Sequence, residues 1–157
     1  MKIQLIVIGK TAQPFVRLGL EEFSGRLKHY LPFEMEVIPE LKNTKNLSIE
    51  QQKEKEGEYL LKSFQPGDCI VLLDEKGKEM SSMQFAEYLG KKSQVVSKRL
   101  VFVIGGAYGF SPHVYETAHE KIALSQMTFS HQLIRLIFAE QLYRAMTIIN
   151  HEPYHHE

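Results

Sequence analysis

Three short stretches of this 157-residue sequence combine residue types that could hold a ligand. One is Gly105-Gly106-Ala107-Tyr108-Gly109, directly after an apolar run. Paired glycines there admit a ligand close to the backbone, because neither Cβ obstructs it. The GGxxG spacing matches neither the dinucleotide fingerprint GxGxxG nor the P-loop pattern, and a tight structural turn accounts for it equally well. The others are Leu73-Asp74-Glu75-Lys76-Gly77-Lys78 and Leu124-Ser125-Gln126-Met127-Thr128-Phe129. Each also closes a strand-like run, and ligands of open α/β sheets bind at the carboxyl ends of strands.

Other constellations are weaker. Asp74 and Glu75 are neighbours, and neighbours on a strand point to opposite faces, so a solvated turn is expected rather than a shared acid–base site. His151, His155 and His156 cluster near the end without cysteine or a helical i, i+4 pair, so no metal is expected. A hydrolase triad lacks its GxSxG elbow, and the single cysteine, Cys69, lies in an apolar strand-like run where a nucleophile is out of place. Group transfer from a bound cofactor remains.

The elements that would position these residues alternate. Ile3–Ile8, Ile70–Leu73 and Leu100–Ile104 read as buried strands, Phe33–Ile38 as a half-exposed strand with period-two alternation, and Lys121–Leu124 as a weak one. Helices are expected over Pro14–Leu31, from Ser48 to about Phe64, from Ser81 to near Gly90, over Pro112–His119 and from Ser130 to Asn150. Two begin at capping boxes, Ser48 with Gln51 and Ser81 with Gln84. This pattern predicts an α/β fold, an open and mostly parallel sheet with helices on both faces, in a single domain spanning 1–157. The last helix is apolar on nearly every side. Such a helix must be buried nearly all round, which points to a partner surface, most simply a homodimer.

Lys and Arg number 19 against 19 Asp and Glu, which excludes a protein that coats nucleic acid by bulk charge. Any RNA must be recognised locally, and residues 1–33, with five Lys/Arg against two acids, are the candidate surface. No apolar run reaches the roughly 18 residues of a membrane span, and the opening run is too short for a signal peptide. A lone cysteine fits a reducing compartment, and a cytoplasmic protein is expected.

VFVIGGAYGF (101–110), LSQMTFSHQLIRLIFAEQLYRA (124–145) and NHEPYHH (150–156), taken together, resemble the RlmH-type ribosomal RNA methyltransferases of the SPOUT superfamily. Ile8-Gly9-Lys10, the KEGE string at 55–58 and LDEKGKEMSS at 73–82 extend the resemblance over the whole chain. It implies an S-adenosylmethionine-dependent enzyme that methylates N3 of a pseudouridine in helix 69 of 23S rRNA, on the assembled ribosome. It also implies a homodimer and a deep trefoil knot in the C-terminal part, about residues 100–157. The cofactor contacts it implies fall on Leu73, Gly105, Leu124, Ser125, Gln126, Met127, Thr128 and Phe129, which are the strand ends already singled out.

By the same resemblance Tyr154 and His155 are candidates for arranging the nucleotide or assisting proton transfer. Arg135, Arg144 and His156 are candidates for substrate binding, although arginines in an apolar helix equally suit buried ion pairs. This chain has His156 where the family usually has Arg or Lys, and a neutral imidazole does not replace a permanent cation. It has Ser130 where the family commonly has Pro, and serine can cap a helix N-terminus. Two competing readings are a non-catalytic dimeric ribosome-binding adaptor and a nucleotide-binding oxidoreductase, the latter without a full glycine fingerprint or a convincing ribose-binding acid.

Overall fold

The computed structural model describes residues 1–156. Its five strands are β1 (Lys2–Ile8), β2 (Phe33–Ile38), β3 (Cys69–Glu79), β4 (Arg99–Ile104) and β5 (Glu120–Ala123). They form one sheet in the order β2-β1-β4-β3-β5, with every pairing parallel. The five α-helices are α1 (Pro14–Leu27), α2 (Ile49–Ser63), α3 (Ser82–Val95), α4 (Pro112–Thr117) and α5 (Leu133–Ile149).

Alternation along the central strands assigns the faces. Ile3, Leu5 and Val7 of β1 and Leu100, Phe102 and Ile104 of β4 meet α1, α3 and α5, through Leu27, Phe85 and Phe138 among others. Ile6, Ile8, Val101 and Val103 point the other way, onto Leu60 of α2 and Val114 of α4. The expected α/β layering is therefore present, and the strands covered on both sides are the uninterrupted apolar runs. Both expected capping boxes form, with Ser48 and Ser81 each accepting from the backbone three residues on.

Several boundaries differ from the sequence reading. The first helix stops at Leu27, and residues 28–31 turn back on it through Tyr30 N–H to Leu27 C=O at 2.9 Å. Pro32 accounts for this, because the residue before a proline is driven out of the helical region. The third helix runs through Gly90 to Val95. A mid-helix glycine costs only about 1 kcal/mol, and burial of Phe85, Ala86 and Leu89 offsets that. The last helix begins at Leu133 rather than Ser130. Ser130 Oγ nevertheless accepts from Leu133 N–H at 3.1 Å, the stabilising contact expected of serine there.

β3 departs most. It does not end at Leu73 but continues to Glu79, with a register shift against β5 between Leu73 and Lys78. The intervening residues 74–77 form an irregular excursion, and the polar string that reads as a turn is a bulge inside a strand. Gly77 is required there, since a Cβ would lie 2.6 Å from the backbone of Ile122.

α5 sits between α1 and α3 on its face of the sheet. Its apolar perimeter is therefore largely covered by its own chain, which a helix with a single neighbouring layer could not achieve. At the α1 crossing, a Cβ on Gly19 would come within 2.5 Å of Leu136. Leu133, Ile134, Ile137 and Tyr143 stay partly exposed. Among the described residues, no helix is long and apolar enough to cross a membrane.

Candidate active site

The carboxyl ends of β3, β4 and β5 converge on one cavity of about 580 Å³, within the range that holds a cofactor-sized ligand. Leu73 and the 74–76 bulge form one wall and Gly105–Gly109 a second, with the segment after β5 and the start of α5 as the third. Of the residues expected at a cofactor, Leu73, Gly105, Leu124, Ser125, Met127, Thr128 and Phe129 line it. Gln126 does not. Its side-chain amide turns away and donates to Glu79 at 3.2 Å.

Side-chain bonds hold the walls together. Thr128 donates to Glu75 at 3.1 Å, so the loop after β5 is anchored to β3 on both sides of Met127, at the bulge and at the strand's last residue. Ser125 Oγ accepts from Met127 N–H at 3.0 Å. Asp74 accepts from Lys76 N–H at 2.9 Å and from the Tyr115 hydroxyl, which ties α4 to the bulge. Burial, together with that bond, pushes the Tyr115 phenol well above its ordinary value, so it stays a donor. A Cβ on Gly105 would lie 3.0 Å from the Phe110 ring, so that wall is already closely packed.

The cavity combines apolar and polar groups. Leu73, Ile104, Leu124, Phe129 and Ile134 give it apolar walls. Among the described residues, the backbone N–H groups of Gln126, Thr128 and Phe129 donate to nothing in the chain. Gln126 and Thr128 are exposed and Phe129 is partly so, which leaves these donors open to a ligand, and main-chain groups beside apolar walls suit recognition of a flat heterocycle.

The sequence reading missed several contributors, three of them polar side chains. Lys53 reaches the cavity from α2, Tyr115 from α4, and His131 from the segment before α5. Lys53 lies on a helix far along the chain from the strand ends, Tyr115 on the short helix between β4 and β5, and no local spacing marks either. Among the described residues, no group of three or more His, Cys, Asp or Glu converges to hold a metal.

The remaining expected site residues lie elsewhere. Arg135 is wholly buried and donates to Ile8 C=O and Gly9 C=O at 2.8 Å, and to Thr11 Oγ1 and His131 C=O at 3.0 Å. It is thus committed to backbone at the end of β1, and neither an ion pair nor a free substrate contact describes it. Arg144 donates to Glu140 twice, at 3.0 and 2.6 Å, meets His155 Nδ1 at 3.1 Å, and lies over the Tyr154 ring at 4.8 Å. Tyr154 also packs edge-on against Tyr143 at 4.7 Å, and Glu152 accepts from Tyr30 at 2.7 Å. His156 is exposed.

The terminal segment is therefore an ordered cap on the far ends of α1 and α5. Ile134, at the cavity, and Arg144, at the cap, are ten helical positions apart. At a rise of about 1.5 Å per residue, that is about 15 Å. The Tyr154 phenol is pushed up by burial and by Glu140, against the opposing pull of Arg144 and Arg26, so it remains protonated at neutral pH.

A parallel sheet with a cavity at its carboxyl edge, walled by the segments that follow its strands, is the usual ligand-binding arrangement of an open α/β protein. The family described as "Predicted SPOUT methyltransferase" matches residues 1–155. This chain belongs to the SPOUT methyltransferase family. It is 68% identical to a protein named "Ribosomal RNA large subunit methyltransferase H" of Parabacteroides distasonis, over the full length of both chains. Proteins of the same name from Bacteroides thetaiotaomicron and Porphyromonas gingivalis are 62% and 56% identical, again over the full length of both.

Proposed function

We propose that this chain is a ribosomal RNA methyltransferase that uses S-adenosylmethionine to methylate N3 of a pseudouridine in helix 69 of 23S rRNA, in the cytoplasm, on the assembled ribosome. The supporting observation is the cavity at the ends of β3, β4 and β5, which fits an adenosyl group in a chain of this family. The catalytic unit is a single domain, residues 1–157, with about 100–157 threaded as a trefoil knot.

Leu73, Gly105 and the 124–129 segment would hold the cofactor, which supplies a methyl group activated on sulfonium sulfur. The chain's own contribution is placement and exclusion of water. The loop after β5, anchored at Glu75 and Glu79, fixes one wall against the other, and alignment of donor with acceptor can supply much of the rate. With their phenol and imidazole, Tyr154 and His155 would orient the nucleotide. Arg144 would act as the residue that holds them, and His156 as a contact to RNA.

The 15 Å span of α5 keeps that cap away from its own cavity. A homodimer resolves this, with the cap of one protomer completing the cavity of the other. Phe15 and Leu18, 58% and 67% exposed, offer an apolar surface for the purpose. They follow a segment that Gln132 ties to the start of α5, by bonds to Ala12 N–H and Lys10 C=O at 2.8 and 3.0 Å.

The test supplies methyl-labelled S-adenosylmethionine with intact ribosomes or isolated subunits and maps the label in RNA. Calorimetry with S-adenosylmethionine, its demethylated product and NAD accompanies it. Label at one large-subunit pseudouridine is expected. NAD binding without response to either sulfur ligand, or cofactor binding with no label in RNA, would overturn the reading in favour of the oxidoreductase or the adaptor respectively.

A further inference from the structure

The KEGE string at 55–58 lies on α2, outside every site described above. Gly57 lets the helix press on the start of α4, since a Cβ there would lie 2.5 Å from Ser111 Oγ. That contact carries the preceding residue, Glu56, onto the glycine turn after β4. A Cβ on Gly106 would sit 2.7 Å from both Glu56 carboxylate oxygens, so the carboxylate packs against Gly106, a residue of the cavity wall, from just outside the cavity lining. One turn earlier on the same helix, Lys53 lines that cavity.

Glu56 is half-buried, and among the described residues no hydrogen bond or ion pair reaches it. Of the charged and titratable groups around it, Glu40 comes from the segment after β2 and repels it. Lys53 is directed to the cavity, and Arg135 of α5 is bound to carbonyls and Thr11. The glycine turn brings Tyr108 and α4 brings His113, both exposed. Burial and Glu40 together raise the affinity of Glu56 for a proton. A half-buried carboxylate without a partner opposes folding, and nothing in the packing requires one at this position.

We propose that Glu56 is the proton acceptor for the target nucleobase, taking the N–H proton of a uracil-type imide seated on the Gly105–Gly106 turn. This rests on the methyltransferase reading above. The N–H bond breaks, an O–H bond forms on the carboxylate, and the electron pair stays on nitrogen, where it would form the bond to the methyl carbon as the carbon–sulfur bond breaks and its electron pair returns to sulfur, leaving the neutral thioether. The proton later leaves Glu56 for solvent. A carboxylate with a raised pKa serves better than an ordinary one, because proton transfer improves as the base approaches the working pH. Tyr154, held as a phenol, leaves this role open.

The test compares the full-length wild type with Glu56→Gln and Glu56→Asp. In the cofactor-free protein, carbon-13 titration of the Glu56 carboxyl should show a pKa above the ordinary glutamate value. Glu56→Gln should bind S-adenosylmethionine as the wild type does, yet lose about 10²- to 10⁴-fold in single-turnover transfer at neutral pH, the usual contribution of a positioned base. That loss should shrink as the pH approaches the imide's own ionisation, and Glu56→Asp should retain part of the rate. Full transfer by Glu56→Gln, or a loss that high pH does not repair, overturns the proposal. A wild type that transfers no methyl group overturns the underlying reading instead, and that arm tells the two failures apart.

Discussion

Replacing Arg135 by Met tests whether this guanidinium is a structural strut between β1 and the cofactor cavity. Methionine keeps the length and apolar contact of the stem and removes every donor. Ile8 and Gly9 are buried, so their carbonyls, now bonded at 2.8 Å, would find no water. His131 is exposed, and its carbonyl can be rehydrated. Each buried acceptor left unpaired costs about 1–3 kcal/mol, which gives about 2–6 kcal/mol for two. Removing a buried cation, whose charged form burial already disfavours, offsets part of this. The expected net loss is about 3 kcal/mol. At a urea slope near 2 kcal/mol/M, the midpoint falls by about 1.5 M. Thermal unfolding drops by about 6–12 °C. His131 and Ile134, both within four residues of Arg135 on its N-terminal side, line the cavity, so S-adenosylmethionine affinity should fall at least about tenfold, close to 1.4 kcal/mol. Arg135→Lys should be intermediate, because one ammonium cannot span the positions a planar fork reaches. A Met variant within about 1 kcal/mol of wild type, binding cofactor normally, would refute the strut.

Three further outcomes follow from the geometry. Removing residues 151–157 takes away the cap on Tyr143 and Arg144 and should abolish transfer while light scattering still shows a dimer and calorimetry still shows cofactor binding. Monomers after that truncation would make the segment structural. Gly77→Ala puts a methyl 2.6 Å from the Ile122 backbone, so chemical denaturation should show a loss of about 1–3 kcal/mol, with weakened cofactor binding as the bulge moves. Glu56 titrates above its ordinary 4.5 in the folded chain, so the fold holds that proton more tightly than the unfolded chain does. Its destabilising effect is then absent below about pH 4.5 and grows as pH rises through the folded value. Glu56→Gln should unfold at a higher temperature than wild type at neutral pH, and the two curves should meet in acid.

The layout of the sheet was legible because burial on both faces leaves uninterrupted runs such as Ile3–Ile8 and Leu100–Ile104, and because Ser48 and Ser81 announce their helices by spacing alone. The ends of those runs located most of the cavity wall. What escaped depends on contacts between distant segments. The 74–77 bulge is polar because it leaves the ladder, which makes a continuing strand look finished. Gly90 reads as a stop, yet the packed face of α3 carries the helix past it. Arg135 has backbone carbonyls as partners, and these have no side-chain signature. Glu56 acquires meaning only when Gly57 brings α2 against α4.

α5 joins the wall of the cavity at Ile134 to the cap held by Arg144 as one unbroken helix. If the cap completes a cavity as proposed above, this helix works as a ruler. Each residue inserted or deleted between those points would shift the cap by about 1.5 Å and swing it by about 100°. A shift of that kind cannot be absorbed locally, because α1 and α3 grip the helix on either side. Its length is therefore a functional quantity in its own right, and substitutions along α5 are open to variation in a way that insertions and deletions are not.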